Sequence, residues 1–218
     1  MIEMEKLYYN TVNSILKTSL ETISKSKIFN SFRLVGGTSL SLQLGHRISI
    51  DIDLFSDAEY GTVDFIKIES FLSKKFDYLD FNPNLITGFG KSYIVGANQE
   101  ESVKLDIFYT DPFITKEVII DGTKFASIEE IIAMKIDVIQ RGGRKKDFWV
   151  LHELLNKYEI SEMILLHEKR YPYNHDKSLI LKNLIDFSIA DDEPDPICLR
   201  GKYWEFIKDD FEELVKKY

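Results

Sequence analysis

Two aspartates one residue apart, Asp51 and Asp53, lie within the apolar run "SIDIDLFS" at residues 49–56. The alternation in this run is typical of a β-strand, in which side chains two positions apart project from the same face. Two carboxylates held side by side repel each other and are costly to bury unless a positive charge lies between them. In proteins Mg²⁺ is commonly held by one or two carboxylates and the phosphates of a substrate. The pair therefore predicts a site for Mg²⁺ and a phosphorylated ligand.

A phosphate-binding turn is predicted a short distance before the two aspartates. Gly36 and Gly37 follow a short apolar strand and allow the backbone to approach a ligand closely. A helix is expected over residues 38–45, with Thr38 or Ser39 capping its start. The free N–H groups and the positive dipole end of this helix favour a bound anion. The turn thus supplies the phosphate half of the predicted site.

The chain reversal through this helix determines where the two halves of the site meet. Gly45 is expected to end the helix, after which residues 50–55 return beside the strand at residues 32–35. Ser49 falls on the aspartate face by its spacing and is a candidate hydrogen-bond donor to a phosphate or to Asp51. The glycine turn and the aspartates are therefore expected at one edge of the sheet.

Asp106 is a candidate third carboxylate, because it is isolated among apolar residues in the strand-like stretch "VKLDIFYT". Strands disfavour aspartate, so its presence there needs a reason. With Asp51 and Asp53 it would complete a cage for two metal ions, an arrangement that supports in-line phosphoryl or nucleotidyl displacement. An ion pair of Asp106 with Lys104 or Lys91 is the alternative explanation.

The order of the remaining elements predicts an α+β fold with a mixed sheet. Helices are expected at residues 5–26, 62–76, 127–141, 145–158, 161–171, 176–188 and 202–218. Between the second and third of these helices, short β-rich runs suggest an antiparallel meander that extends the first sheet. We expect a core domain over residues 1–125 and an all-helical domain over residues 126–218 that packs on it.

Composition limits the classes of function that the chain can have. It has 218 residues and a net charge of −8, which argues against a broad basic face for nucleic acid. The run "RGGRKK" at residues 141–146 is a local exception, as a basic site or as a solvated helix end. The single cysteine, Cys198, excludes an internal disulfide framework. No signal peptide or apolar span is apparent, so a cytoplasmic location is expected.

The segment "GGTSLSLQLGHRISIDIDLF" resembles the polymerase-β-like nucleotidyltransferase fold and is similar to the AbiEii/AbiGii-type toxin family. The motif residues here are Arg47, Ser49, Asp51 and Asp53. A second family block, a helical Lys followed by an Arg-x-x-Lys-Asp-like segment, appears here as Lys135, Arg144, Lys146 and Asp147. Val150 stands where relatives commonly carry a further acidic residue, so no role is assigned there. The resemblance extends from about residue 30 to the end of the chain.

The resemblance implies a Mg²⁺-dependent enzyme that moves an NMP from an NTP, such as ATP, GTP or CTP, to an acceptor hydroxyl. RNA is the expected acceptor, in particular the 3′ end of tRNA, and a cognate antitoxin is the expected partner. The implied catalytic residues are Asp51, Asp53, Asp106 and Lys135, of which the three aspartates would hold the metal. The implied nucleotide-binding residues are Gly36, Gly37, Thr38, Ser39, Arg47, Ser49, Arg144, Lys146 and Asp147.

Two assignments within this set have physical alternatives. Arg47 either neutralises the leaving pyrophosphate or forms an ion pair with Asp51. Asp147 is expected to orient Lys135 or Arg144, since an acid so close to basic residues is usually their partner.

Two other functions are compatible with the same residues. The acceptor can be a protein hydroxyl, as in AMP transfer, which the acidic composition favours. The chain can also be a non-catalytic module that binds nucleotide and acts through a partner. Retention of three carboxylates argues against the binding module, because without metal they repel one another.

Overall fold

The computed structural model describes residues 6–83 and 88–218. The chain divides into two compact units, one formed by Met1–Gly45 and Ser49–Ala126, the other by His46–Ile48 and Ser127–Tyr218. The first unit contains a mixed sheet and the second is helical. The predicted α+β class is confirmed.

The first unit is built around a seven-stranded sheet with the order β3-β4-β5-β2-β1-β7-β6. The strands are β1 (Arg33–Leu34), β2 (Asp51–Ser56), β3 (Tyr78–Asp80), β4 (Gly90–Gly96), β5 (Ser102–Tyr109), β6 (Val118–Ile120) and β7 (Thr123–Phe125). Strand β2 lies antiparallel to β1 and parallel to β5. The predicted return of residues 50–55 beside residues 32–35 is thus confirmed.

The expected continuous meander is wrong in one respect. Strands β3, β4 and β5 do form an antiparallel meander at one side of the sheet. Strands β6 and β7 instead form a hairpin at the opposite edge, where β7 pairs parallel to β1. Local alternation predicts a strand but not its neighbour, because register and order depend on long-range packing. Part of the predicted first run, residues 84–87, lies outside the described residues.

The α-helices of the first unit pack against the sheet. They are α1 (Ser14–Ser24), α2 (Gly36–Leu44) and α3 (Phe65–Lys75). Helix α1 starts later than the predicted residue 5, because the Asn13 side chain accepts the Leu16 N–H and caps the helix there. Its buried leucines pack into one core with Ile52 of β2 and Leu105 of β5.

Helix α2 begins at Gly36, two residues before the expected start. Thr38 and Ser39 lie inside its first turn, so the prediction that either residue caps the helix is wrong. The capping position belongs to Val35, which makes no side-chain cap, and Gly36 adopts a positive φ of 69°. Gly45 ends the helix in the left-handed conformation, as expected. The diglycine is therefore the first turn of the helix.

The second unit is helical and has its own core. Its helices are α4 (Ile128–Gln140), α5 (Lys145–Leu154), α6 (Ile160–Arg170), α7 (Lys177–Asn183), α8 (Ser188–Asp191) and α9 (Trp204–Val215). The helix predicted over residues 176–188 ends at Asn183, and α8 is separate. Phe148 packs edge-on against three other aromatic rings in the centre of this unit: Phe187, Trp204 and Phe211.

A buried ion pair and a short backbone bridge stabilise the second unit. Glu130 pairs with Arg170 at 2.6 Å, with both side chains fully buried. Arg47 forms an isolated antiparallel bridge with Cys198, which ties residues 46–48 to this unit. Across residues 6–83 and 88–218, no helix combines the length and apolar character needed to cross a membrane.

Candidate active site

The three predicted metal-binding carboxylates project from one face of the sheet, the carboxylate face. In the parallel register of β2 and β5, Asp53 lies opposite Asp106, and Asp51 lies opposite Lys104. The neighbouring residues of both strands are buried, whereas these four are partly or fully exposed. Paired positions of adjacent strands share a face, so Asp51, Asp53, Asp106 and Lys104 form two consecutive rungs. These rungs define the carboxylate face.

Lys104 places a positive charge among the carboxylates. Its Nζ donates a hydrogen bond to Asp106 Oδ2 at 2.6 Å. This bond, with the attraction of Asp106, Asp51 and Asp53, raises the pKa of the lysine above its usual value, although partial burial opposes the rise. Of the two alternative partners for Asp106, the structure selects Lys104. Lys91 pairs instead with Glu69 at 2.6 Å.

The donor set fits a hard cation, although no cage is closed around one. Asp106 Oδ1 is buried and has no hydrogen-bond partner among the described residues. An unpaired buried carboxylate oxygen is costly, and Mg²⁺ prefers oxygen ligands of this type. Within residues 6–83 and 88–218, no group of three or more His, Cys, Asp or Glu side chains is arranged to hold a metal ion. Asp106 Oδ2 binds the Lys104 ammonium instead.

The glycine turn lies directly beside the carboxylate face. A Cβ added to Gly36 would collide with the Asp53 carboxylate, and the φ of 69° disfavours any other residue there. The Val35 N–H donates to the Asp53 carbonyl at 2.9 Å. The N–H groups of the first turn of α2 have no partners within the helix. A phosphate bound at this turn would therefore lie against Asp53.

Hydroxyl groups of α2 join the turn to the start of β2. The Thr38 hydroxyl is hydrogen bonded to the Ser49 hydroxyl at 2.8 Å and contacts the Asp51 carbonyl. Ser39 is fully buried and its hydroxyl accepts a hydrogen bond from Gln43 at 2.9 Å. Thr38 and Ser49 thus fix the position of Asp51. The Ser39 side chain is engaged inside the fold, which leaves its backbone as the group that can face a ligand.

A second group of predicted residues, which we call the cation cluster, comprises Lys135, Arg144 and Asp147. Asp147 is fully buried and contacts the Lys135 ammonium through one oxygen. Its other oxygen accepts from Arg144 Nε at 3.1 Å and from the Arg144 backbone N–H at 3.3 Å. Burial by itself would raise the pKa of Asp147, but Lys135 and Arg144 outweigh it and hold the pKa below its usual range.

The other predicted residues of the second unit occupy different environments. Arg47 is buried and donates from Nη1 to the Ile48 carbonyl at 2.8 Å. Lys146 is partly exposed in the first turn of α5. Its neighbour Lys145 is buried and binds Asp195 at 3.0 Å, with its Nζ 5.3 Å from the centroid of the Trp204 ring. The basic run at residues 141–146 is therefore only in part a solvated helix end.

Sequence reasoning assigned no functional role to Lys104, although it named the residue as a partner for Asp106. A signal was present, since a lysine two positions before a strand aspartate must share its face.

Comparison with known proteins defines the class. The chain is similar to MenT4, a nucleotidyltransferase toxin of Mycobacterium tuberculosis H37Rv, with a TM-score of 0.62, 14% identity, and coverage of 93% of this chain and 83% of that chain. It is also similar to a putative nucleotidyltransferase of Helicobacter pylori, with a TM-score of 0.59, 18% identity, and coverage of 93% and 90%. Identities this low show a shared fold, which is that of the nucleotidyltransferases.

The family follows from sequence. The AbiEii nucleotidyl transferase toxins of type IV toxin–antitoxin systems match residues 18–217. An uncharacterized protein of Aquifex aeolicus (strain VF5) is 30% identical over 217 residues, covering 93% of this chain and 95% of that protein. The chain belongs to the AbiEii nucleotidyltransferase toxin family. It is a nucleotidyltransferase enzyme, and its family implies an NTP substrate and an antitoxin partner.

Proposed function

We propose that this toxin transfers an NMP from an NTP to a hydroxyl of RNA, at the 3′ end of tRNA, in a reaction that depends on Mg²⁺. One observation carries the nucleotidyl-transfer chemistry: the Gly36 turn abuts Asp53, and Asp53 lies opposite Asp106 on the same face. The choice of RNA as the acceptor rests on the resemblance to the family. A phosphate-binding element and oxygen ligands for a cation are thus immediate neighbours, which is the combination that nucleotidyl transfer requires.

The first turn of α2 holds the β- and γ-phosphates in this proposal. The N–H groups of this turn have no partner within the helix, and together with the positive end of the helix dipole they complement the negative charge of the phosphates. The absence of a side chain at Gly36 keeps the backbone close to Asp53. Thr38 supports the turn through its bonds to Ser49 and to the Asp51 carbonyl.

Asp51, Asp53 and Asp106 are the residues that would hold Mg²⁺. When bound, the metal would neutralise charge on the triphosphate and lower the pKa of the acceptor hydroxyl. Asp106 is also assigned to help deprotonate the acceptor hydroxyl, since one of its oxygens has no partner among the described residues. The acceptor oxygen forms a bond to the α-phosphorus while the bond from that phosphorus to pyrophosphate breaks.

From the resemblance to the family, we assign the cation cluster to the negative charge of the nucleotide. Lys135 is assigned to the charge that develops on pyrophosphate, and Asp147 orients it through their contact. Arg144, whose side chain is 48% exposed, is assigned to phosphate contact together with Lys146. The resemblance to the family assigns Arg47 the same task.

A protein hydroxyl is the second candidate acceptor. The net charge of −8 favours it, because proteins that bind RNA through many phosphates usually carry more positive charge. The chemistry at the carboxylate face would be the same, and only the surface that presents the hydroxyl would differ.

Transfer of label tests both candidates. Purified protein is incubated with Mg²⁺, each of the four α-³²P-labelled NTPs, and either total tRNA or a cell protein extract. The proposal expects label on tRNA that resists protease and is lost with 3′-end removal. Label on protein alone would select the second candidate. Asp53→Asn should abolish the signal, whereas Asp80→Asn, at the exposed end of β3, should preserve it.

A further inference from the structure

Lys104 occupies the position on the carboxylate face where a cation is needed. It lies opposite Asp51 in the register and diagonal to Asp53, and its Nζ is 2.6 Å from Asp106 Oδ2. Side chains at such cross-strand and diagonal positions are close enough to interact. One lysine therefore faces three carboxylates, which leaves the group with a net charge of −2 when all are ionised.

We infer that Lys104 is the counter-ion of the carboxylate face in the absence of ligands and competes with the divalent metal for Asp106. The lysine is displaced from Asp106 when metal and nucleotide bind together. The inference rests on the proposed metal site. Its geometric basis is that the lysine and the metal require the same carboxylate. The other oxygen of this carboxylate is buried and has no hydrogen-bond partner in the part of the chain that the structure describes.

The surroundings of Lys104 allow it to leave. Its side chain is 47% exposed, so water can replace Asp106 as the partner of the ammonium. The lysine stem is flexible, and a bound triphosphate would offer the released ammonium new anionic partners. A metal that arrives alone must displace the lysine without this compensation. Metal and nucleotide binding are therefore coupled through one side chain.

Measurement of Mn²⁺ binding tests the inference. Binding is monitored through the loss of the electron paramagnetic resonance signal of free Mn²⁺. Wild type, Lys104→Met and Lys104→Arg are titrated with and without a non-hydrolysable α,β-methylene NTP. Lys91→Met is the matched control, because Lys91, on the neighbouring strand β4, makes an ion pair of the same length, 2.6 Å, with Glu69 of α3. Circular dichroism confirms that each variant is folded.

The expected result is a change in metal affinity and in its dependence on nucleotide. Lys104→Met should bind Mn²⁺ alone about tenfold more tightly than wild type, as expected when a unit charge a few ångströms from the site is removed. The analogue should strengthen Mn²⁺ binding by wild type more than by Lys104→Met. Lys104→Arg and Lys91→Met should behave as wild type does.

Two failures are distinguishable. If the analogue promotes Mn²⁺ binding equally in wild type and Lys104→Met, and Mn²⁺ alone binds both equally, the counter-ion inference is overturned while the proposed function stands. If neither protein binds Mn²⁺ under any condition, the metal site is wrong and both proposals fall.

Thermal unfolding in EDTA provides a readout that needs no metal. Removal of the lysine should leave the three carboxylates to repel one another and lower the Tm of Lys104→Met by about 2–4 °C, equivalent to 1 kcal/mol in a chain of this size. Adding Asp106→Asn to that variant should restore most of the loss. A Tm that Lys104→Met leaves unchanged would count against the inference.

Discussion

The carboxylate face and the cation cluster are both built on a lysine–aspartate pair, and they differ in charge balance and in burial. The face has three acids and one lysine, and its ion pair is open to water, with Lys104 47% exposed. The cluster has two cations and one acid, and its central pair is closed, with Lys135 8% and Asp147 0% exposed. One site has a negative excess and the other a positive excess.

The difference indicates which charge each site lacks. An unbalanced group of ionised side chains is costly without a ligand of opposite sign, so the face is suited to a cation and the cluster to an anion. Burial determines the cost of removing one member of an ion pair. An exposed ion pair contributes little to stability, whereas a buried charge that has lost its counter-charge is strongly destabilising. The same type of substitution should therefore affect activity at one site and folding at the other.

The largest expected effect is on activity at the carboxylate face. Asp53→Asn removes the proposed metal ligand beside the glycine turn and should lower the rate of NMP transfer at least about a hundredfold, since metal stabilisation of the transition state is worth several kcal/mol. The rate of label transfer under saturating NTP measures it. A variant that retains a tenth of the wild-type rate would contradict the assignment.

The largest expected effect on folding is at the cation cluster. Asp147→Asn leaves Lys135 buried without its counter-charge and should lower the free energy of unfolding by about 3 kcal/mol. Urea denaturation measures the change. Asp106→Asn is the comparison, because its lysine partner is half exposed, and its cost should stay below about 1 kcal/mol. Equal losses in the two variants would remove the distinction between the sites.

A buried histidine of the second unit, His46, should also make stability depend on pH. Burial, and then the charges of Arg47, Arg200 and Lys202, lower the pKa of His46 to about 3. In the unfolded chain the pKa of this histidine is about 6.5, so below that pH the unfolded state binds a proton that the folded state does not bind. The contribution of neutral His46 to stability is therefore full above pH 6.5 and declines towards pH 3.

Between pH 7 and pH 5 the loss from His46 should be about 2 kcal/mol. His46→Leu should flatten this part of the profile, since both ring nitrogens lack hydrogen-bond partners among the described residues and none is lost on replacement. Denaturation midpoints at several pH values measure the slopes. Parallel profiles for variant and wild type would show that His46 does not titrate as described.

The smallest expected effect comes from the exposed arm of the cation cluster. Arg144→Gln should cost only about 0.5 kcal/mol in stability, because its guanidinium is half in water. Nucleotide affinity should fall about two- to fivefold and become less sensitive to salt. Filter binding at two ionic strengths separates the effects. An unchanged nucleotide affinity would show that Arg144 positions Asp147 and does not contact the nucleotide.

The sequence was informative where chemistry and local geometry coincide. The period of two in "SIDIDLFS" places Asp51 and Asp53 on one face without knowledge of the fold, and the isolated Asp106 indicates a second strand of the same kind. The left-handed conformation of Gly45 follows from its place after a helical stretch.

Other features depended on contacts that no local pattern encodes. The start of α2 at Gly36 requires a glycine with positive φ, and the periodicity of side chains does not report on residues without them. The separation of the hairpin β6–β7 from the meander depends on pairing between β7 and β1, which are distant in the sequence. The choice of Lys104 over Lys91 for Asp106 depends on Glu69, which helix α3 supplies.

The close approach of Gly36 to Asp53 makes these two positions one steric unit. A mutational scan should find glycine obligatory at position 36 wherever an acid occupies position 53. Replacing Asp53 with a smaller residue should make position 36 only partly tolerant of a side chain, because the positive φ at Gly36 still disfavours any other residue. Replacement of the glycine at position 36 should therefore occur together with loss of the acid at position 53. A related chain that carries both changes is expected to lack catalytic activity.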